Sequence, residues 1–129
     1  ECVWPETLRK AHIVKARVLQ EDGDEAAFDI YYQLSENRRT VEGSEAYYRI
    51  VERHYLNGEL RVAEQMIFDM GDFGSVYWQA KCFIILGDIY RDNGNIYQAS
   101  ATYQSVVDGY SPADDGIVAE AKEKIAKLN

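Results

Sequence analysis

The stretch LGDIYRDNGNIYQASATYQ, Leu86 to Gln104, spaces its small and aromatic residues regularly: Gly87, Tyr90, Gly94, Ala99 and Tyr103. Just upstream, Phe83 extends the series, so that Phe83, Leu86, Gly87 and Tyr90 fall at i, i+3, i+4 and i+7, which is one face of a helix. Arg91-Asp92-Asn93-Gly94-Asn95 then reads as a turn, with Gly94 suited to the left-handed conformation that ends helices. Ala99, Tyr103 and Val106 make a second apolar face, which Ser111-Pro112 stops. The unit is two helices joined by a tight turn. Gly87 and Ala99 are read as the points where the two helices come close, and Phe83, Tyr90 and Tyr103 as filling the space between one pair and the next.

The unit repeats. Stepping back by 36 residues links Ala99 to Ala63 and Ala27, Tyr103 to Ile67 and Tyr31, and Val106 to Met70 and Leu34. The same step links Tyr90, His54 and Val18; Leu86, Ile50 and Val14; and Phe83, Tyr47 and Ala11, with no insertion or deletion. Internal self-similarity at such a period marks stacked helical units, because one helix pair cannot bury its own apolar face. The copies are placed at about 5–40, 41–74 and 75–111. Their turns fall at Glu21-Asp22-Gly23-Asp24, Leu56-Asn57-Gly58-Glu59 and Asn93-Gly94, the first glycine lying one place out of step with the others. Gly43-Ser44 and Gly74-Ser75 separate the copies, each serine a candidate N-cap. The expected helices are 5–20, 24–37, 44–57, 60–71, 75–92, 95–109 and 114–128, with no strands. The last belongs to a lid at 113–128, capped by Asp114 or Asp115. Ile117, Ala121, Ile125 and Leu128 form its apolar stripe, and Glu120, Lys122, Glu123, Lys124 and Lys127 its charged back, as suits the terminal cap of a stack.

These residues carry a resemblance to the tetratricopeptide repeat (TPR), a helix-turn-helix unit of ~34 residues. The third copy carries it most fully, with Phe83, Leu86-Gly87, Tyr90, Gly94, Ala99, Tyr103 and Pro112. The second departs from the pattern at Val51 and His54, and the first at Lys15. The slightly long repeat is similar to those of bacterial envelope proteins, including outer-membrane assembly lipoproteins and the TolA-binding periplasmic family. The resemblance implies an all-α, right-handed superhelix of three helix pairs plus a C-terminal capping helix. It leaves the compartment open between bacterial envelope and cytoplasm.

Composition narrows the function. Twenty-two acidic against 14 basic residues give a net charge of −8, which disfavours binding to nucleic acid or to an anionic membrane surface. No run approaches the ~18 apolar residues of a membrane span. Because the chain begins with Glu1, it is expected to be a mature form or a segment of a longer protein. Cys2 and Cys82 stand far apart, and with only His12 and His54 they make no zinc pattern. Cys82 reads as a buried small hydrophobe, and His54 as a packing residue. The acidic turns at 21–25 and 92–95 lack calcium-loop spacing, and their Asp, Asn and Gly residues serve the turns. No serine has a histidine partner implied by a motif. The expectation is a non-catalytic chain without cofactor or metal.

In TPR arrays the first helix of each pair lines a concave groove. Carried onto this sequence, the resemblance implies groove positions at Arg9, His12, Ala16 and Leu19 in the first copy. The second offers Glu45, Tyr48, Arg49, Glu52 and Tyr55, and the third Lys81, Ile84, Ile85, Asp88 and Arg91. Of these, His12, Tyr48, Arg49, Glu52, Tyr55, Lys81, Ile84, Asp88 and Arg91 are the partner-binding candidates, tyrosine and arginine being frequent hot-spot residues. The chaperone-type carboxylate clamp is matched only at Lys81; its other places hold His12, Ala16, Arg49 and Ile85. Two functions are therefore expected. One is a module that binds a protein or peptide in the groove. The other is an assembly segment of a longer stack or a self-associating scaffold. Exposed Tyr48, Tyr55 and Ile84 would favour the first. An uncovered N-terminal edge bearing Cys2, Val3 and Trp4, open to an upstream repeat or a homo-oligomer, would favour the second.

Overall fold

The computed structural model describes residues 4–110 and 115–128. Over these it holds α1 (Glu6–Glu21), α2 (Ala26–Ser35), α3 (Val41–Leu56), α4 (Leu60–Phe68), α5 (Val76–Asp92), α6 (Ile96–Gly109) and α7 (Ile117–Ala126), and no strand. Each expected helix is present. Cys2, Val3, Ser111-Pro112 and Asp114 lie outside the described residues.

Local chemistry sets the helix ends. The Ser75 hydroxyl accepts from the Trp78 amide and caps α5 as expected. Ser44 does not cap α3: Thr40 does, accepting from Gly43 N at 2.9 Å, and α3 starts three residues earlier than the sequence suggests. Ser44 is instead fully buried, donating toward the Arg38 and Thr40 carbonyls and accepting from Gly74 N. It ties the α2–α3 loop to the α4–α5 loop. Asp115 accepts from Ile117 N at the start of α7. The glycines that end α1, α3 and α5, Gly23, Gly58 and Gly94, all have positive φ (74°, 81° and 82°).

The even-numbered helices carry the repeat as read. Ala27, Ala63 and Ala99 are fully buried, and Tyr31, Ile67 and Tyr103 are at most 2 % exposed. Gly87 makes room for a ring rather than for a backbone: a Cβ there would lie 2.3 Å from Cε1 of Tyr103. In the second pair the same two columns hold Val51 and Ile67, both buried, a larger residue facing a smaller one.

The first pair departs from the uninterrupted 36-residue register. Three turn bonds recur in every pair: Asp22 N to Val18 O, Gly23 N to Gln20 O and Asp24 N to Leu19 O match Asn57–Arg53, Gly58–Tyr55 and Glu59–His54, then Asn93–Ile89, Gly94–Arg91 and Asn95–Tyr90. The spacing from first pair to second is thus 35 residues, and from second to third 36. The missing residue lies just after the turn, where Ala27 N bonds Asp24 O, three back, while Ala63 and Ala99 bond Glu59 and Asn95, four back. Ala16, fully buried, therefore takes the place of Val51 and Gly87, and Lys15 moves to the column of Ile50 and Leu86. Val14 and Val18, expected to pack like Ile50 and His54, are each 53 % exposed.

Packing alternates. α2 lies against α1 and α3, α4 against α3 and α5, and α6 against α5 and α7. The odd-numbered helices also touch in succession, whereas no two even-numbered helices bring their backbones together. Phe83 and Tyr90 border both the cluster around α4 and the one around α6, bridging successive pairs.

Candidate partner-binding surface

The succession α1, α3, α5, α7 brings together nearly all the candidate residues, and side-chain bonds join each helix to the next. Arg9 reaches Glu42 at 3.1 Å, and Arg17 makes a two-pronged pair with Glu45 at 2.8 and 2.5 Å. Between α3 and α5, the Tyr55 hydroxyl donates to Asp92 at 2.7 Å and accepts from Arg91 at 3.1 Å. Between α5 and α7, Lys81 meets Glu120 at 3.3 Å and Lys124 meets Asp88 at 3.0 Å. Glu120 and Lys124 were expected on the solvated back of the lid; they turn inward because α7 takes the place of a further odd-numbered helix beside α5.

Several candidates are core or half-buried rather than open to a ligand. Ile84 is 2 % exposed and packs under α6 and α7 with Ala99, Tyr103 and Ile117. Tyr48 is 5 % exposed and Ile85 5 %. Both belong to the cluster that joins α3, α4 and α5. Ala16 is buried, and Leu19 packs on the first core cluster. Asp88 is buried and receives the Tyr103 hydroxyl, Arg91 and Lys124. Glu45, 2 % exposed, is held by Arg17, and that hydrogen bond is the main reason the Arg17 guanidinium is pushed up. Burial raises the phenols of Tyr48 and Tyr103, and each also donates to a carboxylate, Glu52 and Asp88 respectively. Tyr55 is pushed up to about 12, first by burial and then by its bond to Asp92. Burial also raises the Cys82 thiol, in keeping with its reading as an inert core residue.

Over the buried Tyr48 ring, between α3 and α5, lie the half-buried side chains of Arg49, Trp78 and Lys81. The Arg49 guanidinium lies 5.4 Å from the Tyr48 ring and 5.3 Å from that of Trp78, and Lys81 Nζ sits 5.8 Å from Tyr48. Arg49 Nη1 pairs with Glu52 at 3.2 Å, but its Nε is buried without a hydrogen-bond partner, the Glu45 carboxylate standing 4.0 Å away. Trp78 escaped the sequence reading because the third-copy candidates began at Lys81. One step back along that face, at i−3, gives Trp78. His12 stands apart, its ring stacked 3.8 Å from that of Trp4 and its Nδ1 2.8 Å from Leu8 O.

Among the described residues no group of three or more His, Cys, Asp or Glu side chains could hold a metal ion, and no helix is long and apolar enough to cross a membrane. Comparison of the chain with protein-family models, with curated proteins and with solved structures returns no match.

Proposed function

We propose that the chain is a non-catalytic protein-interaction module of the TPR kind, a right-handed stack of three helix pairs and a capping helix that binds a protein or peptide along its odd-numbered helices. What supports the stack is the alternation of contacts: odd-numbered helices touch one another while even-numbered ones stay apart, as an inner, concave odd-numbered side would require. The observation that carries the binding reading is the Arg49 site, where a guanidinium 27 % exposed stands beside the touching rings of Tyr48 and Trp78. It suits a partner that brings a carboxylate or carbonyl oxygen. Hot-spot energy falls on Arg49, Trp78, Lys81 and Tyr55, while Tyr48 and Ile84 support the surface from beneath. The carboxylate clamp stays outside this proposal, since Lys81 already faces Glu120 and Ile85 is core.

Selection of displayed random peptides on the native chain tests the proposal. Enriched peptides should bind Arg49→Ala/Trp78→Ala at least about tenfold more weakly, as loss of a hot-spot pair requires, and should bind Glu64→Lys unchanged. Peptides that keep full affinity for the double variant, with its helicity verified by circular dichroism, would refute it.

A second reading, an assembly segment, draws on a different observation. Tyr48 and Ile84 are buried, whereas α1 exposes Leu8, Val14 and Val18 on its outer side.

A further inference from the structure

The faces of α3 and α5 that look back along the stack are both covered. Ala46, Ile50 and Arg53 on α3 meet α2, and Cys82, Leu86 and Ile89 on α5 pack in the cluster that holds Ala63 and Ile67 of α4 and Met70 just beyond it. The 35-residue step places Ala11, Lys15 and Val18 of α1 in those positions, with Leu8 one turn earlier, where α3 has Gly43. All four are exposed, Leu8 by 44 % and Val18 by 53 %, and Val14 beside them by 53 %. This is the established helix-on-helix interface of the chain with one of its two sides uncovered.

We propose that the outer face of α1 is a docking surface for an acidic amphipathic helix of the α2 type. The covered α2–α3 interface shows how a cation is accommodated there. The Arg53 guanidinium lies 4.2 Å from the Phe28 ring and pairs with Glu25 at the start of α2. Of the Lys and Arg residues of α1, Arg9 and Arg17 pair with Glu42 and Glu45 of α3, which leaves Lys15, in the middle of the face, and Lys10, whose ion pair is with Glu6 of its own helix. A covering helix therefore needs an apolar stripe for Leu8, Val14 and Val18 together with an acidic residue and a ring for Lys15. The segment DEAAFDIYYQLS, residues 24–35, has that composition. A second copy applied α1 to α1 does not, because it sets the lysines of both copies along one seam. The α7 end of a second copy does not either, since the exposed positions of α7, Ala119, Lys122, Glu123 and Ala126, include no large apolar residue.

The test joins residues 24–35 directly ahead of Glu1 of the full chain, which reproduces the 35-residue step. The added segment should become helical, and the melting temperature should rise by about 5 °C. The gain should vanish when the added copy of Tyr31 is replaced by Asp, or when Lys15→Glu is made in the fused chain. No gain in helicity or melting temperature would overturn the docking surface. So would a gain that both substitutions leave intact. Sedimentation of the unfused chain should show a monomer. A dimer dispersed by Val14→Glu/Val18→Glu would overturn the choice of occupant in favour of a second copy. None of these measurements involves Arg49 or Trp78, so each proposal can fail without the other.

Discussion

α1 and α5 hold the same place in their helix pairs, yet they are packed in opposite ways. α5 buries residues around most of its circumference, including Cys82, Ile84, Leu86, Gly87 and Ile89, because α4 lies on one side and α6 on the other. α1 buries only Ile13 and Ala16, both toward α2. A repeat column is thus a property of the neighbours as much as of the sequence. Where the neighbour is present the column holds Ile50 or Leu86, and where α1 faces outward the same column holds Lys15.

The largest effect that separates the two helices is expected from truncating that column. Leu86→Ala removes a 5 % exposed side chain from the cluster shared with α4 and should destabilise the chain by about 2–5 kcal/mol. Lys15→Ala, in the same column two pairs away, should stay within about 0.5 kcal/mol. Urea denaturation of the two variants checks this, and equal losses would mean that α1 is covered as α5 is.

The next effect concerns what replaces apolar burial at the far end. Asp88 gathers Tyr103 from α6, Arg91 from its own helix and Lys124 from α7. Asp88→Asn keeps the shape but leaves Lys124 without its ion-pair partner, Arg91 retaining Asp92, and should cost about 1–3 kcal/mol, with α7 amides gaining the most hydrogen exchange. On α1, Glu6→Gln breaks the exposed pair with Lys10 and should cost no more than about 0.5 kcal/mol.

Much of this fold was legible in the sequence, and the parts that were not fail for identifiable reasons. The even-numbered helices are short and amphipathic, so their columns, from Ala27 to Val106, read directly as core. α1, α3 and α5 are longer, and α5 is buried nearly all round, so periodicity does not separate Ile84, a core residue, from Lys81, a surface one. The shift in α1 arises from a single residue lost after Gly23. The only trace of it was the glycine out of step, since Ala11, Val14 and Val18 give as regular a helical stripe as Ile13, Ala16 and Gln20. The inward turn of Glu120 and Lys124 depends on how α7 sits against α5, which no spacing within either helix encodes, whereas Trp78 meets Tyr48 of α3 one i−3 step before Lys81.

The smallest effect is one of pH. The phenols of Tyr48, Tyr55 and Tyr103 have native pKa values above the ordinary tyrosine value, Tyr55 at about 12. Their contribution is complete below pH ~10, where the unfolded tyrosines still hold their protons, and is lost as pH rises toward the folded values. Melting temperature should therefore fall as pH rises above ~10. Tyr55→Phe should make that fall slightly shallower, and Tyr97→Phe, at a residue 86 % exposed, should leave it unchanged. A steeper fall for Tyr55→Phe would contradict the hydrogen bond to Asp92.

The one-residue shift sets α1 apart from α3 and α5, and a single paired measurement reaches it. Ala16 is fully buried against α2 and Lys15 is exposed. Thermal and urea unfolding of Ala16→Leu and Lys15→Leu, side by side, should show Ala16→Leu destabilised by about 1–3 kcal/mol through overpacking and Lys15→Leu within about 0.5 kcal/mol of the parent. A larger loss for Lys15→Leu, with Ala16→Leu tolerated, would restore the uninterrupted 36-residue register and remove the basis for an uncovered face on α1.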